Sequence, residues 1–402
     1  MKIISNLQSL TFVLLALAIP LSVAVTNILI VFFVVLWIFE ADFKRKFNKL
    51  KNTKWLLSIL ILALLYLLGL VSGEFHSDYI HVLKRVLLLL FFIPVITTSL
   101  SVLTIQFPVI NTSLSVSTYK TSIFLFLIAN LISAITALLI YFEIISPLYS
   151  DNSITAFLKY NYHNILLSFS ALFSFLLFAK SKNKYSFVFL LLILIYTLSI
   201  FTEAGRAGQL TFNFFFFLFA IFYFKKKIKY SLLIISFLIC VNLLSYSKSP
   251  IFKHRVDHLT HVVINDGERK NPKTKEKDIR YLFVKYGLEL IYKKPIFGYG
   301  TGAFSDVFKK HTQTSYDLKK HKTPHNNYLY VLFELGLIGL LVFLSIFFFQ
   351  IKELYKNNMK NPEVLLLPFF LILLMFFDSY MFIFSITLFY IYMYKIFKNI
   401  FN

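Results

Sequence analysis

The chain has little charge and almost no sulfur chemistry. Charged residues make up 15% of its 402 residues, against 58% apolar residues, and a water-soluble protein of this length would carry about 25% charge. Too little polar surface is available to cover a soluble globule, so the bilayer must be the solvent. The single cysteine, Cys240, lies in an apolar run and excludes intrachain disulfides and cysteine-based metal sites.

Acidic residues are few as well: 19 Asp+Glu face 41 Lys+Arg, a net charge of +22. In a soluble protein this excess would suggest nucleic acid. In a membrane protein it is better explained by cytoplasmic loops, which collect Lys and Arg. We therefore expect membrane lipids as a partner and no nucleic acid. The first apolar run is followed almost at once by a second, which indicates an uncleaved first span rather than a signal peptide.

Apolar runs of spanning length predict an all-α, polytopic membrane protein with about twelve transmembrane helices. The predicted spans are 7–23, 26–40, 55–72, 86–106, 122–142, 164–180, 185–201, 208–224, 230–246, 327–349, 363–378 and 380–397. With both termini inside, the inner segments hold 20 Lys and Arg residues, whereas the short outer loops hold only Lys84, Arg85, Lys159 and Arg206. This bias predicts the orientation.

Three regions follow: transmembrane helices one to nine in 1–246, a large outer loop in 247–325, and helices ten to twelve in 326–402. The loop carries 17 Lys+Arg against 8 Asp+Glu. Ile279–Tyr292 in this loop is predicted to be an amphipathic helix, although Val284, Leu288 and Ile291 fall off its apolar face. The polar stretch Asn265–Lys277 predicts a mobile segment.

Ionisable residues near the spans are candidates for chemistry, because charge is costly there. Arg206 stands in a turn of Gly and Ala, which would leave its guanidinium open to phosphate oxygens; the alternative is a snorkelling arginine. Arg280 begins the loop helix and is either a ligand or a solvated charge. Lys84 and Arg85 begin a span on the outer side, and anchoring to headgroup phosphates is the leading interpretation.

His325 stands where the loop re-enters the membrane, and its imidazole is a credible base for a hydroxyl. The alternative is an interfacial residue beside a helix capped by Asn326. Glu334, buried nine residues later, is expected to be structural, paired with a cation or the backbone. No Asp-x-Asp pair marks a metal-held sugar nucleotide, which leaves a lipid-linked donor open.

Two further patterns are weaker. His254, His258 and His261 share one helix face, yet the Glu of a His-Glu-x-x-His site is missing, so we expect no metal. The run from Pro295 to Gly302 is similar to a phosphate nest. No Lys-Ser/Thr pair follows it, and a tight turn is the default.

The order of these motifs resembles the bacterial O-antigen ligases and the superfamily they share with O-antigen polymerases. The resemblance rests on twelve spans with a large outer loop after the ninth, and on four sequence pieces. These pieces are Gly205-Arg206-Ala207-Gly208, Arg280 with Tyr281-Leu282-Phe283, Pro295-Ile296-Phe297-Gly298-Tyr299-Gly300, and His325-Asn326-Asn327-Tyr328 leading to Glu334-Leu335-Gly336. The motifs cover roughly residues 200–345; the rest of the chain is similar only in topology.

The resemblance implies a metal-independent, inverting glycosyltransferase of the inner membrane without a cofactor. Its donor would be a glycan on undecaprenyl diphosphate and its acceptor the lipid A-core, with the active site facing the periplasm. Arg206 and Arg280 would bind the diphosphate, His325 would activate or orient the acceptor hydroxyl, and Lys84 and Arg85 would assist substrate binding. An O-antigen polymerase remains an alternative, as does a transporter or lipid flippase, for which Glu334 would be the supporting feature.

Overall fold

The structure is a computed structural model, and it describes residues 2–71, 78–99, 104–109, 112–150, 155–181, 186–224, 227–265, 278–312, 322–357 and 362–400. Most of the predicted mobile stretch after Asn265 lies outside these residues. Helices dominate, as expected where apolar runs must satisfy their own backbone groups. Seventeen α-helices occur in the described chain.

The first nine are α1 (Lys2–Leu21), α2 (Val23–Phe39), α3 (Phe43–Asn52), α4 (Lys54–Val71), α5 (Tyr79–Leu87), α6 (Ile93–Thr98), α7 (Thr118–Tyr141), α8 (Tyr160–Lys180) and α9 (Phe187–Thr202). The others are α10 (Arg206–Leu218), α11 (Ile228–Lys248), α12 (Pro250–Ile264), α13 (Ile279–Lys293), α14 (Phe304–Thr312), α15 (Asn327–Asn357), α16 (Leu366–Leu374) and α17 (Phe384–Ile400). A π-helical segment, Leu88–Phe92, joins α5 to α6, and another, Phe219–Tyr223, follows α10.

The described chain contains five helices long and apolar enough to cross a membrane: Ile3–Leu21, Thr118–Tyr141, Tyr160–Lys180, Ile228–Lys248 and Asn327–Lys356. The pair α2 and α3, bent by 110°, makes a sixth candidate. Lys54–Leu70, Phe187–Thr202 and Glu363–Leu374 are apolar but shorter. The protein is thus helical and multi-pass, while the count of twelve spans stays a prediction.

In the described residues, a two-stranded sheet departs from the otherwise helical fold. Strands β1 (Thr104–Val109) and β2 (Thr112–Ser117) pair antiparallel, with Thr104 opposite Ser117. The predicted fourth span, 86–106, therefore ends early: its helix begins at Tyr79 and stops at Thr98. β-branched and hydroxyl-bearing residues dominate this stretch, and they favour strands over helices.

The chain forms two compact units. The first consists of Met1–Ser9, Phe32–Leu103 and Gly267–Asn402, and the second of Leu10–Val31 and Thr104–Asp266. In the first unit α4 packs along α15, with Trp55, Leu62 and Tyr66 of α4 buried. In the second unit α8 packs on both α9 and α10, and α8 is buried over most of its length.

Candidate active site

His325 pairs with an aspartate that the sequence analysis did not select. Its Nδ1 lies 3.1 Å from Oδ1 of Asp378, in the connection between α16 and α17. The two side chains are 25% and 15% exposed, so a ligand can reach a pair that is otherwise shielded from water. A carboxylate that accepts from Nδ1 orients the ring and places the lone pair of a neutral imidazole on Nε2.

The two asparagines after His325 hold this connection in place. Asn326 caps α15, as expected, because its Oδ1 accepts from the Leu329 amide at 2.9 Å. The Asn327 amide donates to the Met375 carbonyl at 2.9 Å, and its Oδ1 accepts from the Met381 amide at 3.0 Å. The segment that carries Asp378 is therefore fixed from both ends by one buried residue.

His325 adopts a left-handed backbone conformation with φ of 54°. Non-glycine residues rarely adopt this conformation, and where they do it is often at functional sites. Here it turns the chain at the start of α15 so that the imidazole faces Asp378 while Asn326 and Asn327 face the helix end.

Arg280 reaches the same neighbourhood from α13. The helix begins as predicted, because Asp278 caps it through the Arg280 amide at 2.9 Å. Phe283, one turn later, is fully buried and its ring centre lies 6.3 Å from that of His325. Residues three apart share a helix face, and the exposed Arg280 acts electrostatically on Asp378.

Asp378 is held as a carboxylate. Burial raises its pKa, but the hydrogen bond and charge of His325, the Ser379 amide at 2.7 Å and the charge of Arg280 outweigh burial and lower the pKa overall. An ionised Asp378 stabilises an imidazolium, which is what a base becomes after it takes a proton.

Glu334 has the structural role that was expected. It is fully buried on α15, and its Oε1 accepts from the Gly302 amide at 2.9 Å. The guanidinium of Arg85 acts on this carboxylate and lies 5.8 Å from the ring centre of Tyr330. Arg85 thus turns towards the interior of the unit, whereas Lys84 is exposed.

The glycine-rich run after Pro295 is a structural turn. The amides of Tyr299 and Gly300 donate to the carbonyls of Phe333 and Glu334, at 3.0 and 2.9 Å. Since these donors and the Gly302 amide are already used within the protein, the run does not form a phosphate nest. The turn packs against α15 at Gly336. This residue has a φ of 64° and interrupts the helix.

A second ion pair lies in the segment before His325. Lys322 Nζ is 2.9 Å from Oδ1 of Asp78, and Ser305 of α14 donates to the other oxygen of the same carboxylate. Asp78 immediately precedes α5, the helix that carries Lys84 and Arg85. This contact ties the His325 segment to two helices of its unit.

Arg206 belongs to the second unit, where it is the first residue of α10 and half-buried. The turn before it is held by Gln209, whose Nε2 donates to the carbonyls of Ile200 and Glu203 at 3.0 and 2.8 Å. Close packing explains the glycine before Arg206. A Cβ on Gly205 would lie 2.5 Å from Asn164 Nδ2. Convergence of Arg206 with Arg280 and His325 stays a prediction.

His254, His258 and His261 lie on α12, and the ring centres of His254 and His258 are 6.4 Å apart. Among the described residues, no group of three His, Cys, Asp or Glu side chains could hold a metal ion.

The sequence does contain a signal for Asp378. It is the only charged residue between Glu363 and Lys395, and a lone charge in an apolar stretch requires a functional or structural reason. Its partner could not be read from the sequence, because 52 intervening residues separate it from His325.

Comparison with known proteins agrees with this picture. No curated protein matches the chain. Residues 185–344 match the family model described as O-antigen ligase (Wzy_C), a span that includes Arg206, Arg280 and His325. This match supports an O-antigen ligase family assignment for residues 185–344, and the apolar helices indicate a multi-pass membrane protein.

Proposed function

We propose that this protein is an O-antigen ligase that transfers polysaccharide from undecaprenyl diphosphate to the lipid A-core oligosaccharide. The observation that carries the proposal is the His325–Asp378 pair with Arg280 beside it. A general base with an orienting carboxylate suits a hydroxyl acceptor, and a neighbouring guanidinium suits a diphosphate leaving group.

In the proposed reaction the acceptor hydroxyl oxygen attacks the anomeric carbon of the donor sugar in line with the diphosphate. Its proton moves to Nε2 of His325, and the imidazolium is stabilised by Asp378. The bond between the anomeric carbon and the diphosphate oxygen breaks with inversion. Arg280 then stabilises the charge on the departing polyprenyl diphosphate. Arg206 remains a proposed second ligand of the diphosphate, and Lys84 and Arg85 remain proposed to assist binding.

The same proposal includes twelve spans in the bacterial inner membrane, with both termini in the cytoplasm and the site facing the periplasm. The distribution of Lys and Arg supports this orientation. Guanidinium groups rather than a metal ion would neutralise the diphosphate, so we propose a metal-independent reaction without a cofactor.

Reconstitution of the purified protein with undecaprenyl-linked glycan and lipid A-core tests the proposal directly. We expect glycan to appear on lipid A-core, at equal rate with and without a chelator. Glycan extended on the lipid carrier instead would identify a polymerase, and loss of activity with chelator would contradict the metal-independent reaction. Neither transfer nor extension, together with movement of the lipid-linked glycan across the bilayer, would favour a flippase.

A further inference from the structure

Helix α13 carries apolar residues on two faces. Phe283, Gly287 and Leu290 are buried inside the unit. On the other side Val284 and Leu288 are 48% and 52% exposed, and Tyr292, four residues further on, is 86% exposed. These three positions form one stripe along the helix, and a contiguous exposed apolar surface marks a binding face. The stripe accounts for Val284 and Leu288, two of the three apolar residues that did not fit the predicted amphipathic pattern, whereas the third, Ile291, is buried.

The stripe continues into the turn after α13 and from there onto a membrane-spanning candidate. Ile296 and Phe297 are 53% and 76% exposed. Their turn is fixed to α15, because the Leu337 amide donates to the Pro295 carbonyl at 2.8 Å. Leu337 and Leu341 of α15 are themselves 49% and 59% exposed. Exposed apolar residues therefore occur on α13, in the turn and on the outer face of α15, with the exposed Lys293 and Lys294 between the first two.

The turn packs against the middle of the first half of α15, a helix long and apolar enough to cross a membrane. Gly336 lies nine residues after Asn327, where the helix begins, which is about 14 Å at 1.5 Å per residue. The apolar layer of a bilayer is about 30 Å thick. Inside a bilayer, the N–H and C=O groups of irregular backbone must form their hydrogen bonds within the protein. The amides of Tyr299 and Gly300 meet this requirement through carbonyls of α15.

Three lysines border the apolar stripe. Lys285 lies beside Val284, and Lys293 and Lys294 follow Tyr292; all three are exposed. Lysine can lay its stem along apolar surface and hold its ammonium at the level of the headgroups, where anionic lipids attract it. Exposed apolar side chains flanked by cations match the chemistry of an anionic leaflet better than that of a protein partner.

We propose that the C-terminal half of α13 and the turn Pro295–Gly302 insert into the leaflet where α15 begins. Tyr292, Ile296 and Phe297 contact acyl chains, while Lys293 and Lys294 bind anionic headgroups. Part of the large loop is then inserted in the membrane, and the loop is not entirely exposed to water. If the proposed function holds, this anchor also fixes Arg280 at a defined height above the leaflet that contains the lipid-linked donor.

Site-specific fluorescence in vesicles tests the insertion without relying on activity. In a Cys240→Ser background, Phe297→Cys is labelled with an environment-sensitive dye in the full chain reconstituted with phosphatidylglycerol-containing vesicles. Leu341→Cys, on the exposed face of α15, is the control for acyl-chain contact. Lys309→Cys, on the exposed side of α14, is the aqueous control.

We expect the label at position 297 to behave like that at position 341: blue-shifted emission, quenching by brominated acyl chains and protection from aqueous iodide. The label at position 309 should show the reverse. Quenching of the 297 label by iodide, or protection from both quenchers, would overturn the proposal, the second outcome by indicating a protein contact.

The lysines are tested with the same label. Lys293→Glu together with Lys294→Glu should weaken the quenching of the 297 label by brominated lipid in anionic vesicles. The matched pair Lys309→Glu and Lys310→Glu, also exposed and adjacent, should leave it unchanged. Equal effects of the two pairs would contradict a specific role for Lys293 and Lys294. Because these readouts involve no glycan, their failure is distinguishable from failure of the proposed function.

Discussion

Nδ1 of His325 lies 3.1 Å from Oδ1 of Asp378, across 52 intervening residues of sequence. This pair combines a titratable group that ligands can reach with a carboxylate that is largely shielded from water. The charge of Arg280, another predicted site residue, also acts on Asp378.

Asp378→Asn should lower kcat by about 10²-fold, because an amide can neither stabilise the imidazolium nor fix the tautomer. His325→Ala should lower kcat at least as much, and the double variant should be no worse than His325→Ala alone, since the two residues act as a unit. Initial rates of glycan transfer in proteoliposomes measure this. Additive losses in the double variant would show that the two residues act independently.

Arg280→Lys should raise KM for the lipid-linked donor about tenfold, because lysine lacks the bidentate fork that matches phosphate oxygens. Lys285→Ala, an exposed cation on the same helix, is the matched control and should leave KM for the donor unchanged. Donor titrations at saturating acceptor separate KM from kcat. An equal rise in KM for both variants would indicate general electrostatic attraction rather than a defined ligand.

Gly336→Ala should lower the free energy of unfolding by about 1–3 kcal/mol, since an L-residue is strained at positive φ. Gly336 has φ of 64°, and an added Cβ would lie 2.2 Å from the Ile296 carbonyl oxygen. The Pro295–Gly302 turn would then be displaced from α15. Gly287→Ala is the control, because its Cβ would lie 3.3 Å from the flexible end of Leu329. Thermal unfolding in detergent compares the two, and equal midpoints would contradict the assigned strain.

Glu203, in the turn between α9 and α10, should make stability depend on pH. Burial raises its pKa from 4.5 to about 7. A carboxyl with a raised folded-state pKa binds its proton more tightly in the folded protein, so stability falls as pH rises from about 4.5 to about 7. Above this pH window, the stability that the protonated Glu203 contributes is completely lost.

Glu203→Gln should remove that part of the pH dependence and raise the unfolding temperature above neutral pH. Unfolding midpoints measured across the window test this. Glu143→Gln, at an exposed carboxylate, should leave the profile unchanged. A Glu203→Gln profile that overlays the parent profile would show that this carboxyl does not titrate differently on folding.

Local sequence properties were sufficient to place the starts of two helices. The cap of α13 at Asp278 and the start of α15 after Asn326 lie where the sequence analysis placed a helix beginning. Both depend on residues within a few positions of one another. The tight turn after Pro295 is likewise local, because Gly298, Gly300 and Gly302 all have positive φ.

What the sequence by itself determined is the class of protein: apolar runs dictate helices in a membrane, and the order of Arg206, Arg280 and His325 indicates the family. Only the tertiary structure selected Asp378 as the partner of His325 and gave Glu334 its bond to Gly302. The physical reason is distance along the chain. Capping and periodicity act over a few residues, whereas these contacts form only when packing brings remote segments together.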